Sequence, residues 1–187
     1  MRLRVRNLLA ALMIVTAAGP AAGEEVMVGG PLDLVDQHGD PVTEHSFAGS
    51  HMLIYFGYTY CPDVCPTSLA TMIRALDLLP QDQAERVAPI FITIDPERDT
   101  VEQLAAYAPL FHPRLVALTG TSAAIEAAAR AYRVLFKKVG DDPAYLVDHS
   151  SFLYLMGPDG AYVRHFHASA SAKRIAEGIA AALAAGS

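Results

Sequence analysis

Cys61 and Cys65 are the chain's two cysteines, and both stand in one short stretch, Tyr60-Cys61-Pro62-Asp63-Val64-Cys65-Pro66. Two thiols four positions apart make a chemical site before they make a staple. Cross-link stabilisation grows with the loop that is closed, and a bond here would close almost none. Redox exchange and metal binding remain as uses for the pair. Pro66 is tolerated only in a first helical turn, which puts Cys65 at or next to a helix start. Backbone N–H groups and the positive end of the helix dipole favour thiolate there, so a depressed pKa is expected at Cys65. Asp63 either opposes this by its charge or caps the helix. Three residues between the sulfurs, against two in C-x-x-C redox motifs, still allow a disulfide or one metal held between them.

Two thiolates are an incomplete site for most metals, so the seven histidines come into question as further ligands. His149 stands out. It lies in Val147-Asp148-His149-Ser150-Ser151, read as the loop before a strand over residues 152–156, and such a loop can face the cysteine loop. On these residues alone a hydrogen-bonded loop histidine is the plainer reading. Asp148 next to it could orient the ring as an outer partner.

The elements that must position these groups alternate along the chain. A polar, hairpin-like entry over residues 32–42 leads to the apolar strand 52–56, directly before the cysteines. Then come helix 68–79, strand 88–94, helix 100–111 closed by Pro113, strand 115–118 and helix 122–134. Strands 152–156 and 162–166 meet at Gly157-Pro158-Asp159-Gly160, and an alanine-rich helix over residues 172–185 ends the order. These βαβ units predict an α/β fold with a central mixed β-sheet flanked by helices. Reactive groups in such sheets sit beyond the carboxyl ends of strands, where the cysteine loop lies.

The start of the chain bears on the compartment. Arg2, Arg4 and Arg6 precede an apolar stretch of eleven residues, 8–18, and Ala21-Ala22-Gly23 forms a small-residue cleavage site before Glu24 and Glu25. Residues 1–23 therefore read as a signal peptide, with an uncleaved anchor as the competing reading; a spanning helix takes about 20 residues. Residues 24–187 suit a single domain with its own core. Cleavage leaves 11 Lys+Arg against 20 Asp+Glu, so the net charge moves from −6 to −9. An acidic exported chain is not a nucleic-acid binder, and it works where unprotected thiols are at risk of pairing.

Three motifs in order carry a resemblance: Phe56-Gly57-Tyr58-Thr59-Tyr60-Cys61-Pro62-Asp63-Val64-Cys65-Pro66-Thr67, Thr93-Ile94-Asp95-Pro96-Glu97-Arg98-Asp99-Thr100, and Val147-Asp148-His149-Ser150. From about Leu32 to the last helix the chain resembles the Sco/SenC family. The resemblance implies a thioredoxin-like fold and a copper chaperone that serves assembly of the binuclear copper centre of cytochrome c oxidase subunit II. It implies copper ligands at Cys61, Cys65 and His149, which overturns the plainer reading of that histidine. Many family members keep an uncleaved N-terminal anchor. The short leader here points instead to a soluble periplasmic protein, and either answer places the site in the periplasm.

The chemistry agrees. Two soft thiolates with one imidazole suit three-coordinate Cu(I) and can accommodate Cu(II). Zinc with a water as fourth ligand stays open. A Cys61–Cys65 disulfide would abolish copper binding, so a thiol reductant is expected as a partner beside a periplasmic copper donor and the subunit II copper domain. The alternative function is a thiol-disulfide oxidoreductase that reduces the target's copper-ligand cysteines, with Cys61 or Cys65 as attacking thiolate. A thiol peroxidase ranks third, because Gly57-Tyr58 supplies no proline upstream of Thr59.

Other motifs read as structural. His165 and His167 alternate on a strand and are taken as exposed edge residues rather than a second metal site. The Asp95 to Thr100 stretch is a turn into a helix with Asp99 as its cap and Glu102 near the first turn, and lining the site is its second reading. Tyr55, Tyr58 and Tyr60 mix core packing with a rim to the cysteine loop. His38, His45, His51 and His112 are expected in surface or loop positions.

Overall fold

The computed structural model describes residues 27–140 and 143–186. The expected leader lies outside them. Among the described residues no helix is long and apolar enough to cross a membrane.

Strand β3 (His51–Gly57) is the spine of the fold, and every residue of it is buried. It pairs in parallel with β4 (Val87–Thr93), which pairs in parallel with β5 (Val116–Thr119). On its other side β3 pairs antiparallel with β8 (Phe152–Met156), and β8 with the edge strand β9 (Tyr162–His167). The entry hairpin, β1 (Leu34–Asp36) and β2 (Pro41–Val42), adds to β5 and completes a seven-stranded mixed sheet of order β2-β1-β5-β4-β3-β8-β9. Leu53, Ile54, Phe56, Ile90, Phe91, Ile92, Leu153 and Leu155 are wholly inaccessible. Unbroken apolar runs of this kind are what strands covered on both faces need, and each such side chain contributes about 1.5–3 kcal/mol relative to exposure.

Helix α1 (Val64–Asp77) buries Cys65, Leu69, Met72, Ile73 and Leu76, a stripe at helical spacing. It starts four residues before the expected Ser68. Pro66 falls within the first turn, where a missing N–H breaks no intrahelical bond. A short helix α2 (Gln81–Ala84) leads into β4, and α5 (Ala172–Ala185) packs its Ile175, Ile179 and Leu183 side towards α1.

Two helices are shorter than expected. Helix α3 (Val101–Tyr107) passes into a 3-10 turn at Ala108–Leu110, where Pro109 lacks the N–H that would continue the ladder. Helix α4 (Ser122–Ala131) stops before Arg133, which adopts a left-handed φ of 57°.

A hairpin absent from the sequence expectation, β6 (Phe136–Val139) and β7 (Leu146–His149), forms a separate two-stranded sheet. His149 is therefore the last residue of a strand, paired with Phe136, rather than a loop residue. His51 is a second correction. It opens β3 and is 4% exposed, not a surface side chain.

Candidate metal centre

The cysteine loop leaves the carboxyl end of β3. Gly57 is the last strand residue, and a Cβ there would lie 3.0 Å from Cys65 Sγ and 3.0 Å from Tyr55 Cε1, so only glycine leaves the sulfur its place. Two residues on, Thr59 donates from N and Oγ1 to the Asp99 carboxylate at 3.0 and 2.6 Å, and Thr93 Oγ1 donates to the same group at 2.6 Å. Asp99 is wholly buried. Burial raises its pKa above the ordinary carboxylate value, and the three hydrogen bonds offset only part of that rise. It is not the cap of α3: that place belongs to Thr100, whose side chain accepts from Gln103 N. Asp99 instead ties the cysteine loop to β4.

The two sulfurs differ. Cys61 is half-buried, whereas Cys65 is inaccessible. Cys65 N donates to Cys61 Sγ at 3.4 Å, and the amides of Asp63 and Val64 are directed at the same sulfur. Burial raises the Cys61 thiol, but these amides and the Cys65 side chain outweigh it and leave its pKa below the ordinary thiol value. Burial pushes the Cys65 thiol up to about 12. The expected depression thus falls on the other cysteine. Cys65 lies inside the first turn of α1 and turns to the core, while Cys61 stands ahead of the helix where the free N–H groups point. Asp63 occupies the N-cap position, but its side chain makes no capping bond.

His149 completes the cluster. Its Nε2 lies 3.4 Å from Cys65 Sγ, and its Nδ1 lies 3.0 Å from Ser150 O. A carbonyl only accepts, so Nδ1 carries the proton and Nε2 turns its lone pair to the sulfur. Burial lowers the ring's pKa and keeps it neutral. Tyr55 and Tyr58 pack edge-on against it, with centroids 6.1 and 6.2 Å away. Asp148 is not the group that orients the ring. Alternation along β7 leaves it exposed, its partner across the hairpin is Lys137, and it acts on His149 only through its charge.

The structure thus brings Cys61, Cys65 and His149 together from a loop, a helix and a separate hairpin. Cys65 contacts each of the other two, through its N–H to Cys61 Sγ and its Sγ to His149 Nε2, and among the described residues no three His, Cys, Asp or Glu side chains are spaced as a ready metal cage. Binding a metal there requires both thiols to lose their protons and the side chains to part around the ion.

The other histidines stay apart. His165 and His167 lie on the edge strand with Phe152 packed against both. His167 Nδ1 accepts from Ser169 N and lies 2.7 Å from Ser169 Oγ, so that nitrogen is already engaged within its own turn. His38 and His45 are exposed, and His112 Nδ1 accepts from Arg114 N. Sequence reasoning missed Gly57 and the Ser150 carbonyl. The first is visible only as a close approach, the second only as a backbone direction.

Comparison with known proteins shows what the chain is similar to. The family model of SCO1/SenC matches residues 20–184. Protein SCO1 homolog 1, mitochondrial, of Arabidopsis thaliana is 40% identical over 167 residues, which are 89% of this chain; the chain spans 50% of that relative's length. The crystal structure of Arabidopsis thaliana ScoI with copper bound superposes with a TM-score of 0.77 at 38% identity, covering 84% of this chain and 99% of that one. BsSco, described as a member of the Sco family of cytochrome c oxidase assembly proteins with a disulfide switch, superposes with a TM-score of 0.66 at 25% identity, over 85% and 95% of the two chains. A thioredoxin-like α/β fold, the three motifs and a family match over nearly the whole length together make the chain a member of the SCO1/SenC family.

Proposed function

We propose that this protein binds copper and delivers it during cytochrome c oxidase assembly, to the binuclear centre of subunit II. The cargo is held by the thiolates of Cys61 and Cys65 and by Nε2 of His149. The observation that carries this reading is the anchored imidazole: a ring made neutral by burial, with Nδ1–H on the Ser150 carbonyl and Nε2 aimed at the Cys65 sulfur. Metal-ligating histidines are held in this way. Two thiolates and one imidazole form a soft donor set that suits Cu(I) and tolerates Cu(II), so the site can serve the metal in both states. Half-exposed Cys61 gives an acceptor's ligand a sulfur to displace first. Residues 24–187 act as one exported domain on the periplasmic side, supplied by a copper donor and kept reduced by a thiol reductant.

The second reading is thiol-disulfide exchange with the same target. An accessible, low-pKa Cys61 beside a buried Cys65 is the arrangement of an attacking and a resolving thiol, and it needs no metal at His149. Anaerobic Cu(I) titration of the reduced protein against a competing chelator, with His149→Ala beside it, separates the two. One tightly bound copper per chain that is much weakened in the variant supports delivery. Weak binding indifferent to His149 moves the function to exchange.

A further inference from the structure

The hairpin carrying His149 stands outside the main sheet, so something else must hold it in place against the cysteine loop. Val147 N donates to Tyr58 Oη at 3.2 Å and links β7 directly to that loop, and beside this bond a stack gathers around Arg98. Its side chain is 14% exposed, and Nε donates to Asp95 Oδ2 at 2.5 Å. Nη1 donates to the carbonyl of Tyr145 at 3.0 Å and to that of Pro143 at 3.4 Å, both on the segment that enters β7. The guanidinium carbon lies 3.6 Å from the Tyr145 ring centroid, 4.7 Å from that of Tyr60 and 5.7 Å from that of Tyr58. Tyr145 OH donates to Asp95 Oδ1 at 2.6 Å, so one carboxylate receives both members of the stack.

The placement is what matters. Tyr60 immediately precedes Cys61, and Tyr145 lies four residues before His149. One planar cation therefore touches the chain on both sides of the site, through a fork and two faces that lysine cannot reproduce. Among the described residues its Nη2 is buried without a hydrogen-bond partner.

We propose that Arg98 is a positioning residue for the metal site: it holds the His149 hairpin against the cysteine loop and sets the reach of Nε2 to the metal without touching it. The inference rests on the ligand set of Cys61, Cys65 and His149. Its test is a double-mutant cycle, with Cu(I) affinity measured by chelator competition on the reduced wild type, Arg98→Met, His149→Ala and the double variant. Arg98→Met should weaken binding about tenfold where His149 is present and less than about twofold where it is absent. Arg98→Lys should not restore the loss, and the Cu(II) absorption and electron paramagnetic resonance spectra of Arg98→Met should move towards those of His149→Ala. Equal losses in both backgrounds, or wild-type affinity in Arg98→Met, would overturn the proposal while leaving the ligand set intact. Full affinity in His149→Ala would overturn the ligand set itself. Should Arg98→Met fail to fold, Tyr145→Phe, which removes only the hydroxyl on Asp95, must show a smaller loss with the same dependence on His149; a loss independent of His149 refutes the proposal.

Discussion

His149 Nε2 lies 3.4 Å from Cys65 Sγ although 84 positions separate the two residues. A loop, a helix start and a two-stranded hairpin converge to make that contact. The same burial that keeps the imidazole neutral keeps the Cys65 thiol protonated, so the two form a neutral pair beside a more acidic Cys61.

The thiols should differ in reactivity. At neutral pH iodoacetamide should modify Cys61 first, with a pH profile that inflects below the ordinary thiol value, while native Cys65 stays protected, its pKa pushed up to about 12. Mass spectrometry of partly alkylated protein reads the order. Equal modification of the two would contradict the assignment of the α1 amides to Cys61.

Copper loading should release protons. Burial raises the Cys65 pKa and lowers that of His149, so near neutral pH the thiol has a proton to lose and the ring has none on Nε2. Calorimetry in buffers of different ionisation enthalpy should give about one to two protons released per Cu(I). Affinity should rise with pH across the neutral range. Heats that do not depend on the buffer would rule this out.

Gly57→Ala should disturb the fold and the site together. The new methyl would lie 3.0 Å from Cys65 Sγ, 3.0 Å from Tyr55 Cε1 and 3.1 Å from Phe91 Cε2, inside a packed strand. Overpacking of this kind costs about 1–3 kcal/mol, read as a lower urea midpoint, and copper affinity should fall with the displaced sulfur. A variant with wild-type stability and affinity would show that the sulfur has room to move.

Asp99→Asn sets two effects against each other. Removing the charge relieves the desolvation that raises the carboxyl's pKa; the amide oxygen can keep Thr59 N–H and the Thr93 hydroxyl at the Oδ2 position, while the NH₂ replaces the acceptor of the Thr59 hydroxyl. Hydrogen bonds to a charged acceptor contribute about 1.5–3 kcal/mol each against about 0.5–1.5 for neutral ones, so the weakening of three bonds together is expected to exceed the relief and urea should unfold the variant earlier. A later midpoint would mean that Asp99 is held at a net loss.

The fold was legible where burial writes a pattern. β3, β4, β8 and the stripes of α4 and α5 are apolar runs or helical repeats with clear stops. Hairpin β6–β7 was not, because Phe136-Lys137-Lys138-Val139 and Leu146-Val147-Asp148-His149 are short and mostly exposed and carry no alternation that distinguishes strand from loop. Cys61, Cys65 and His149 were legible as motifs, whereas their electrostatics were not. Which thiol faces the helix amides depends on where α1 begins, and a four-residue error in that start moves the depressed pKa from Cys61 to Cys65. Asp99 was misread for a related reason. Asp99-Thr100 offers two caps, and only the tertiary approach of Thr59 and Thr93 decides that the aspartate is turned inward.

The ligand set is tested most directly by X-ray absorption at the copper edge of the Cu(I)-loaded protein, with His149→Ala measured alongside. Two sulfur scatterers and one imidazole nitrogen are expected in the wild type, with the imidazole signature absent from the variant. A copper shell of sulfur alone in the wild type, unchanged by the substitution, would contradict the assignment of His149 as the third ligand.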